Sequence, residues 1–302
     1  RTVLYANEKV SGYLRASFVL HWSSERPVPK VSVDFGDGRT LRTTITGNSA
    51  HYLLRHDGTP IDVFPGVYGP QRFISELEAS RNLEERLKKS KSVRADIIAF
   101  HRARVEANEK RFTQLSKNQR EALLPYRTAM LRTEIESAMR LTSSKAMIEG
   151  PVLDLVGLGS PLDIYSSTPN PQRVRWAASD PMSDPAEPLD QSSRRLIAAL
   201  GPSDWGAVPK ATSEPELKSL YGVLERSVAA DTLINTYGLR PRIDRIFVRD
   251  SSSSFKDLNS ALYREVFMTP RQDPWIGFAR PGVFTGLPGD GLSVEAVDTS
   301  HE

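Results

Sequence analysis

The 302-residue sequence contains no cysteine. That absence excludes disulfides, thiolate-bound zinc, iron–sulfur clusters and thiol nucleophiles. No apolar run comes near the ~20 residues that span a bilayer, and the mean hydropathy is −0.39. No membrane span is therefore expected. Charge of one sign is also scarce: 40 Lys and Arg against 37 Asp and Glu leave a net +3. The densest basic stretch, Arg86 to Arg94, is interleaved with Glu84, Glu85 and Asp96. It reads as a solvated helix face, and nucleic acid is not an expected partner. Only five histidines occur, and none of them shows the spacing of a helical zinc site. No metal, cofactor or catalytic residue is assigned.

The first residue is Arg1 rather than Met. With the missing cysteines, this leads to an expected extracytoplasmic location, periplasmic or peripheral to a membrane.

Residues 10–64 read as β structure. Tyr13 to Leu20 is a strand candidate. Val31-Ser32-Val33-Asp34-Phe35 alternates, Gly36-Asp37-Gly38 supplies a tight turn, and Leu41 to Ile45 returns. A second pair, His51 to Leu54 and Ile61 to Phe64, flanks a turn at His56-Asp57-Gly58. Pro70 sits where a helix can begin. Residues 70–141 read as helical, with apolar stripes through Phe73 and Leu77, Leu83 and Leu87, then Val93, Ile97, Val105, Phe112 and Leu115. Pro125 is expected to kink or restart the third of these helices. His101 lies on that stripe, where a buried histidine bonded to a backbone carbonyl is expected. Residues 142–212 are rich in Pro, Ser, Asp and Gly. They offer one strand candidate at Arg173 to Trp176, an exposed loop at Asp180 to Pro188 and one short helix at Gln191 to Leu200. An amphipathic helix is expected over 213–236, and Ser254 with Asp257 forms a capping box for another.

Several motif-like fragments lack their context. Asp34-Phe35-Gly36 copies a kinase triplet but sits at a hairpin turn, and Gly286 to Gly291 lacks a strand-to-helix frame. Ser49 and His51 are close enough to raise an alternative hydrolase reading, which requires a carboxylate to orient the histidine.

The stretch from Lys30 to Leu77 resembles the C-terminal half of a thioredoxin-like fold. Val31 to Asp34 matches the earlier strand, His51 to Leu54 and Ile61 to Phe64 match the hairpin, and Phe73, Ile74 and Leu77 lie on the closing helix. The redox cysteines are missing, and the loop that carries a cis-proline in that family reads Asn48-Ser49-Ala50. The resemblance implies a redox-inactive scaffold used for binding.

The expected architecture is α+β: a β-rich thioredoxin-like unit over 1–80, a long helical segment over 81–142, and a mixed helical and irregular region over 143–302. The expected function is a non-enzymatic interaction or structural role, as a peripheral subunit of a membrane-associated protein complex. Its partners are then other proteins. The interface candidates are Arg271, Trp275, Phe278, Arg280 and Phe284, aromatic and arginine side chains in a Pro- and Gly-rich tail.

Overall fold

The structure is a computed structural model. It describes residues 4–25, 30–34, 36–38, 40–44, 48–128, 187–199, 213–250, 254–267 and 269. Within them the chain is mixed α and β. Two antiparallel hairpins, β1 (Lys30–Asp34) with β2 (Thr40–Thr44) and β3 (Ala50–Leu54) with β4 (Pro60–Pro65), form separate two-stranded sheets. Gly36 and Gly38 take φ of 73° and 89° in the first turn, as the glycine spacing required. The five candidate interface residues of the tail and the strand candidate Arg173–Trp176 lie outside the described residues.

The N-terminal strand expectation is overturned. Tyr13–Leu20 does not form a strand; helix α1 occupies Glu8–Ser17. Asn7 caps it by accepting the Val10 N–H at 3.1 Å. Val10 is fully buried, and Tyr13 and Leu14 pack against the same core, which is helical i, i+3, i+4 spacing. The strand reading of Tyr13 to Leu20 gives way to the Asn7 cap and the helical packing.

Three helices follow the second hairpin: α2 (Pro70–Leu87), α3 (Val93–Gln114) and α4 (Lys117–Thr128). Pro70 opens α2 at its first turn. Helix α4 runs through Pro125 without restarting within the described residues, at the cost of the backbone bond that Pro125 cannot give. Then come α5 (Gln191–Ala199), α6 (Glu214–Leu233), α7 (Arg240–Arg249) and α8 (Phe255–Ala261). The Ser254–Asp257 capping box that opens α8 is present with both of its bonds.

Helix α6 does not end near residue 236. It passes through a π-helical segment, Ile234–Leu239, directly into α7. Pro241 has no N–H to give to the carbonyls of Thr236 and Tyr237 behind it. Side chains take over: Asn108 donates to Thr236 O at 2.8 Å and Arg127 to Tyr237 O at 2.7 Å. Arg127 is itself held by Asn108 Oδ1 at 2.7 Å and lies 4.0 Å over the Phe112 ring.

One core joins α1, the β3–β4 hairpin, α2, α3, α7 and α8 around Phe64, Phe73, Leu77, Ile243 and Leu262. A second, smaller cluster packs Leu115 and Leu123 on Ala229, Leu233 and Tyr237. Gly66, just past β4, ties the hairpin to the π-helical segment. Its φ is +67°, and an added Cβ would lie 2.7 Å from Asn235 Nδ2, the atom that donates to Val67 O. Gly66→Ala is expected to cost about 1–3 kcal/mol through left-handed strain and overpacking. Urea unfolding checks it; an unchanged midpoint would mean that Asn235 moves aside freely.

Candidate functional site: a buried ionic cluster on the edge of β4

Strand β4 is buried along its whole length. Its bonding to β3 fixes which backbone groups face away. Gly66 N–H bonds Ser49 O and Arg55 N–H bonds Thr59 O, and His51 stands opposite Phe64. Phe64 and Asp62 therefore turn their backbone toward β3, while Ile61 and Val63 turn theirs outward. A buried sheet edge with unpaired carbonyls is costly.

Charged side chains close that edge. His101 Nε2 donates to Ile61 O at 3.0 Å. Arg240 Nη1 donates to Val63 O, and its Nη2 donates to Asp62 Oδ1. Asp62 Oδ1 also accepts the Val63 N–H at 2.7 Å, and Asp62 Oδ2 accepts from Ser80 Oγ. Around this centre Asp244 Oδ1 lies 2.7 Å from His101 Nδ1, 3.3 Å from Arg240 Nε and 3.7 Å from Arg104 Nε. Arg104 and Arg72 both pair with Glu76. His101 and Asp62 are 0% exposed, Asp244 1% and Arg240 3%.

The supporting elements show how the sequence builds this arrangement. On α3, His101, Arg104 and Asn108 recur at helical spacing and share the inward face. On the π-helical segment and α7, Thr236, Arg240 and Asp244 recur at i, i+4 and meet them. Phe247, one turn beyond Asp244, stacks on the His101 ring with centroids 3.9 Å apart and planes 8° apart. Phe64 packs against the Arg240 guanidinium at 4.7 Å.

The cluster is balanced in charge. An oxygen faces each His101 nitrogen, Asp244 Oδ1 at Nδ1 and the Ile61 carbonyl at Nε2. Three guanidiniums, Arg72, Arg104 and Arg240, meet three carboxylates, Asp62, Asp244 and Glu76. Burial alone would raise the Asp62 and Asp244 carboxyls. Arg240 outweighs it, aided by Arg104 and His101, and both stay below the ordinary carboxylate range. Glu76 is held down in the same way, with Arg104 the largest opposing charge. Burial disfavours the charged form of Arg240, yet Asp62 and Asp244 raise its pKa above the ordinary value. Tyr68 is buried beside these charges, and burial raises its phenol so that it stays neutral.

The ligand atoms of Asp62, His101 and Asp244 lie within 4.8 Å of one another, close enough for a metal triad. Their donor sets are already committed. Arg240 bonds Asp62 and lies against Asp244, and both His101 nitrogens are already engaged, Nε2 with the Ile61 carbonyl and Nδ1 with Asp244. The guanidinium supplies the positive charge that an ion would bring, so these residues do not fit a metal.

His51 and Ser49 are not assembled as a hydrolytic pair. The His51 ring accepts at Nε2 from the Tyr5 hydroxyl at 2.5 Å and donates from Nδ1 to Phe64 O at 3.4 Å. Among the described residues no carboxylate contacts it. Ser49 is exposed, and His56 is exposed in the turn beyond β3. Of the cluster, sequence reasoning found His101 and its carbonyl partnership. It missed Asp62, Arg104, Asp244 and Arg240; for the last three the signal was a polar residue recurring at helical spacing on an otherwise buried face. Comparison with protein families, with functionally characterised proteins and with solved structures finds no match to this chain.

Proposed function

We propose that this chain is a non-enzymatic interaction or structural protein, acting outside the cytoplasm as a peripheral subunit of a membrane-associated complex. The observation that carries the reading is where the chemistry-bearing side chains point. The acids, arginines and histidine that could have formed a site are turned inward and used to satisfy a sheet edge. Catalysis instead needs such groups to converge where a substrate can reach them. Apolar side chains are meanwhile presented outward just after α1, with Val19 102%, Leu20 57% and Trp22 70% exposed. The missing cysteines suit an oxidising compartment. No helix among the described residues is long and apolar enough to cross a membrane, in keeping with a peripheral attachment. A redox-inactive thioredoxin-like unit over Lys30–Leu77 is part of the same proposal.

The test is native capture of the full chain under mild detergent, beside a variant carrying Arg271→Glu and Trp275→Ala in the tail. Stoichiometric membrane proteins recovered with the wild type and lost with the variant are the expected result. A lone monomer from both soluble and membrane fractions would overturn the proposal.

A further inference from the structure

Just past α1 the chain turns apolar side chains to solvent. Phe18 leaves the helix in extended conformation, with φ −139° and ψ 151°, and its ring packs on Tyr13 and the core. At the far end of the segment Glu25 accepts a hydrogen bond from Asn259 Nδ2 at 2.7 Å, and Asn259 in turn accepts from the Tyr52 hydroxyl. The run between these anchors has no regular structure and carries Val19, Leu20 and Trp22 at 102%, 57% and 70% exposure. Single exposed apolar side chains are ordinary on a protein surface; three on one short segment pinned at both ends form a patch.

We propose that this loop enters the interfacial layer of an anionic lipid bilayer, so that the chain meets the membrane by direct contact. The proposal rests on the reading of the chain as a membrane-peripheral protein, and it adds the surface that touches lipid and the lipid charge that this surface selects.

Two observations favour a bilayer over a protein face. Val19 and Leu20 are neighbours, and consecutive side chains of an extended backbone point to opposite sides. A flat protein surface covers one side of such a loop, whereas the interfacial layer of a bilayer surrounds it. Entry is shallow, because an irregular backbone needs partners from water and headgroups that the hydrocarbon core does not offer. Tryptophan suits that depth.

The second observation is charge. Helices α1 and α2 run in parallel. The Glu8 N–H at the start of α1 donates to Asp190, and the Gln71 N–H at the start of α2 donates to Glu187 on the same short segment. Arg81, about three turns into α2, reaches Ser17 Oγ in the last turn of α1 at 3.4 Å. The exposed loop and the C-terminal part of α2 therefore lie toward one end of the molecule. That end is basic. Glu84 and Glu85, the acids of the last two turns of α2, are paired with Arg55 and Lys88. Arg15, Arg81, Arg86, Lys89 and Lys91 are exposed and have no ion-pair partner among the described residues. Each basic residue held near an anionic surface raises partition roughly five-fold.

The experiment is co-sedimentation of the purified full chain with two kinds of vesicle, phosphatidylcholine alone and phosphatidylcholine with phosphatidylglycerol in equal parts, at low and at high salt. The wild type is expected to bind the mixed vesicles, to bind phosphatidylcholine roughly ten-fold or more weakly, and to weaken on the mixed vesicles as salt rises. Leu20→Glu, placed where the fold is not at stake, is expected to lower binding to the mixed vesicles by roughly ten-fold or more. Lys89→Glu with Lys91→Glu is expected to do the same on the mixed vesicles and to change little on phosphatidylcholine. A wild type that stays in the supernatant with both vesicles, or Leu20→Glu that sediments as well as the wild type, overturns the insertion. A chain that ignores vesicles yet is captured with stoichiometric membrane proteins overturns the insertion and leaves the peripheral-subunit reading standing. A chain that binds the mixed vesicles through Leu20 but is captured alone supports the insertion and overturns the subunit reading.

Discussion

Arg240→Leu is expected to lower the unfolding free energy by about 3–5 kcal/mol, the largest effect of any single substitution considered for this chain. Removing the guanidinium leaves Asp62 and Asp244 buried without their strongest partner, and it strips the Val63 carbonyl of the one side-chain donor it has among the described residues. Buried ion pairs can often be exchanged for apolar residues without loss. That exchange fails here because the network ends on the backbone. Replacing Asp62 and Arg240 together by apolar side chains would still orphan both Val63 N–H and Val63 O, at about 1–3 kcal/mol for each buried group. Arg240→Lys keeps the charge but not the planar fork, and one ammonium cannot reproduce the paired bonds to Asp62 and Val63 while facing Asp244. Its expected cost is about 1–3 kcal/mol. Urea denaturation followed by circular dichroism measures all three variants. A leucine variant within about 1 kcal/mol of wild type would mean that the edge carbonyl finds another donor.

The hairpins could be read in the sequence because their signals are local. The alternation of Val31 and Val33, the glycines of the first turn and the runs flanking Asp57-Gly58 specify strand pairs without reference to the rest of the chain. The Ser254–Asp257 box was legible for the same reason. Helix α1 was not, because the run Tyr13 to Leu20 read as a strand while Val10, Tyr13 and Leu14 recur at helical spacing. The choice between the two periods was made by packing on α2 and by the Asn7 cap. Pro241 concealed the continuity of α6 and α7. Its cost is met by Asn108 and Arg127, which lie more than a hundred residues away. The cluster was half legible. His101 stood out on an apolar stripe, and a carbonyl partner was expected. Asp62 looked like the polar half of an alternating strand, yet β4 is buried on both faces, so its polar position had to be neutralised from α3 and α7. No local pattern reports that a strand is covered on both sides.

The second large effect falls on His101 and Asp244. His101→Phe preserves the stack on Phe247 but removes the donors to Ile61 O and Asp244 Oδ1. One buried carbonyl is orphaned and one buried carboxylate loses a hydrogen-bond partner, so about 3 kcal/mol of stability is expected to go. Asp244→Asn keeps an oxygen acceptor but removes the negative charge that faces Arg240, Arg104 and the histidine. Because the two residues act through one bond, the double variant should be less destabilised than the sum of the singles, by about 1–3 kcal/mol. The pH dependence separates this from simple loss of packing. In the wild type Asp244 is held below its ordinary value by Arg240 and then by the His101 hydrogen bond, against the upward push of burial. Its contribution is therefore full above the unfolded carboxylate value and is lost as pH falls through the lower folded one. Without His101 the folded value rises toward the unfolded one, so less stability is lost in acid, and the acid limb should be shallower and end at higher pH in His101→Phe than in wild type. Urea midpoints measured from neutral pH down to about pH 3 resolve the difference, since the unfolded carboxylate titrates near 3.9. Strictly additive variants with superimposable acid limbs would show that His101 and Asp244 are neighbours without being partners, and that the edge of β4 is closed by Arg240 alone.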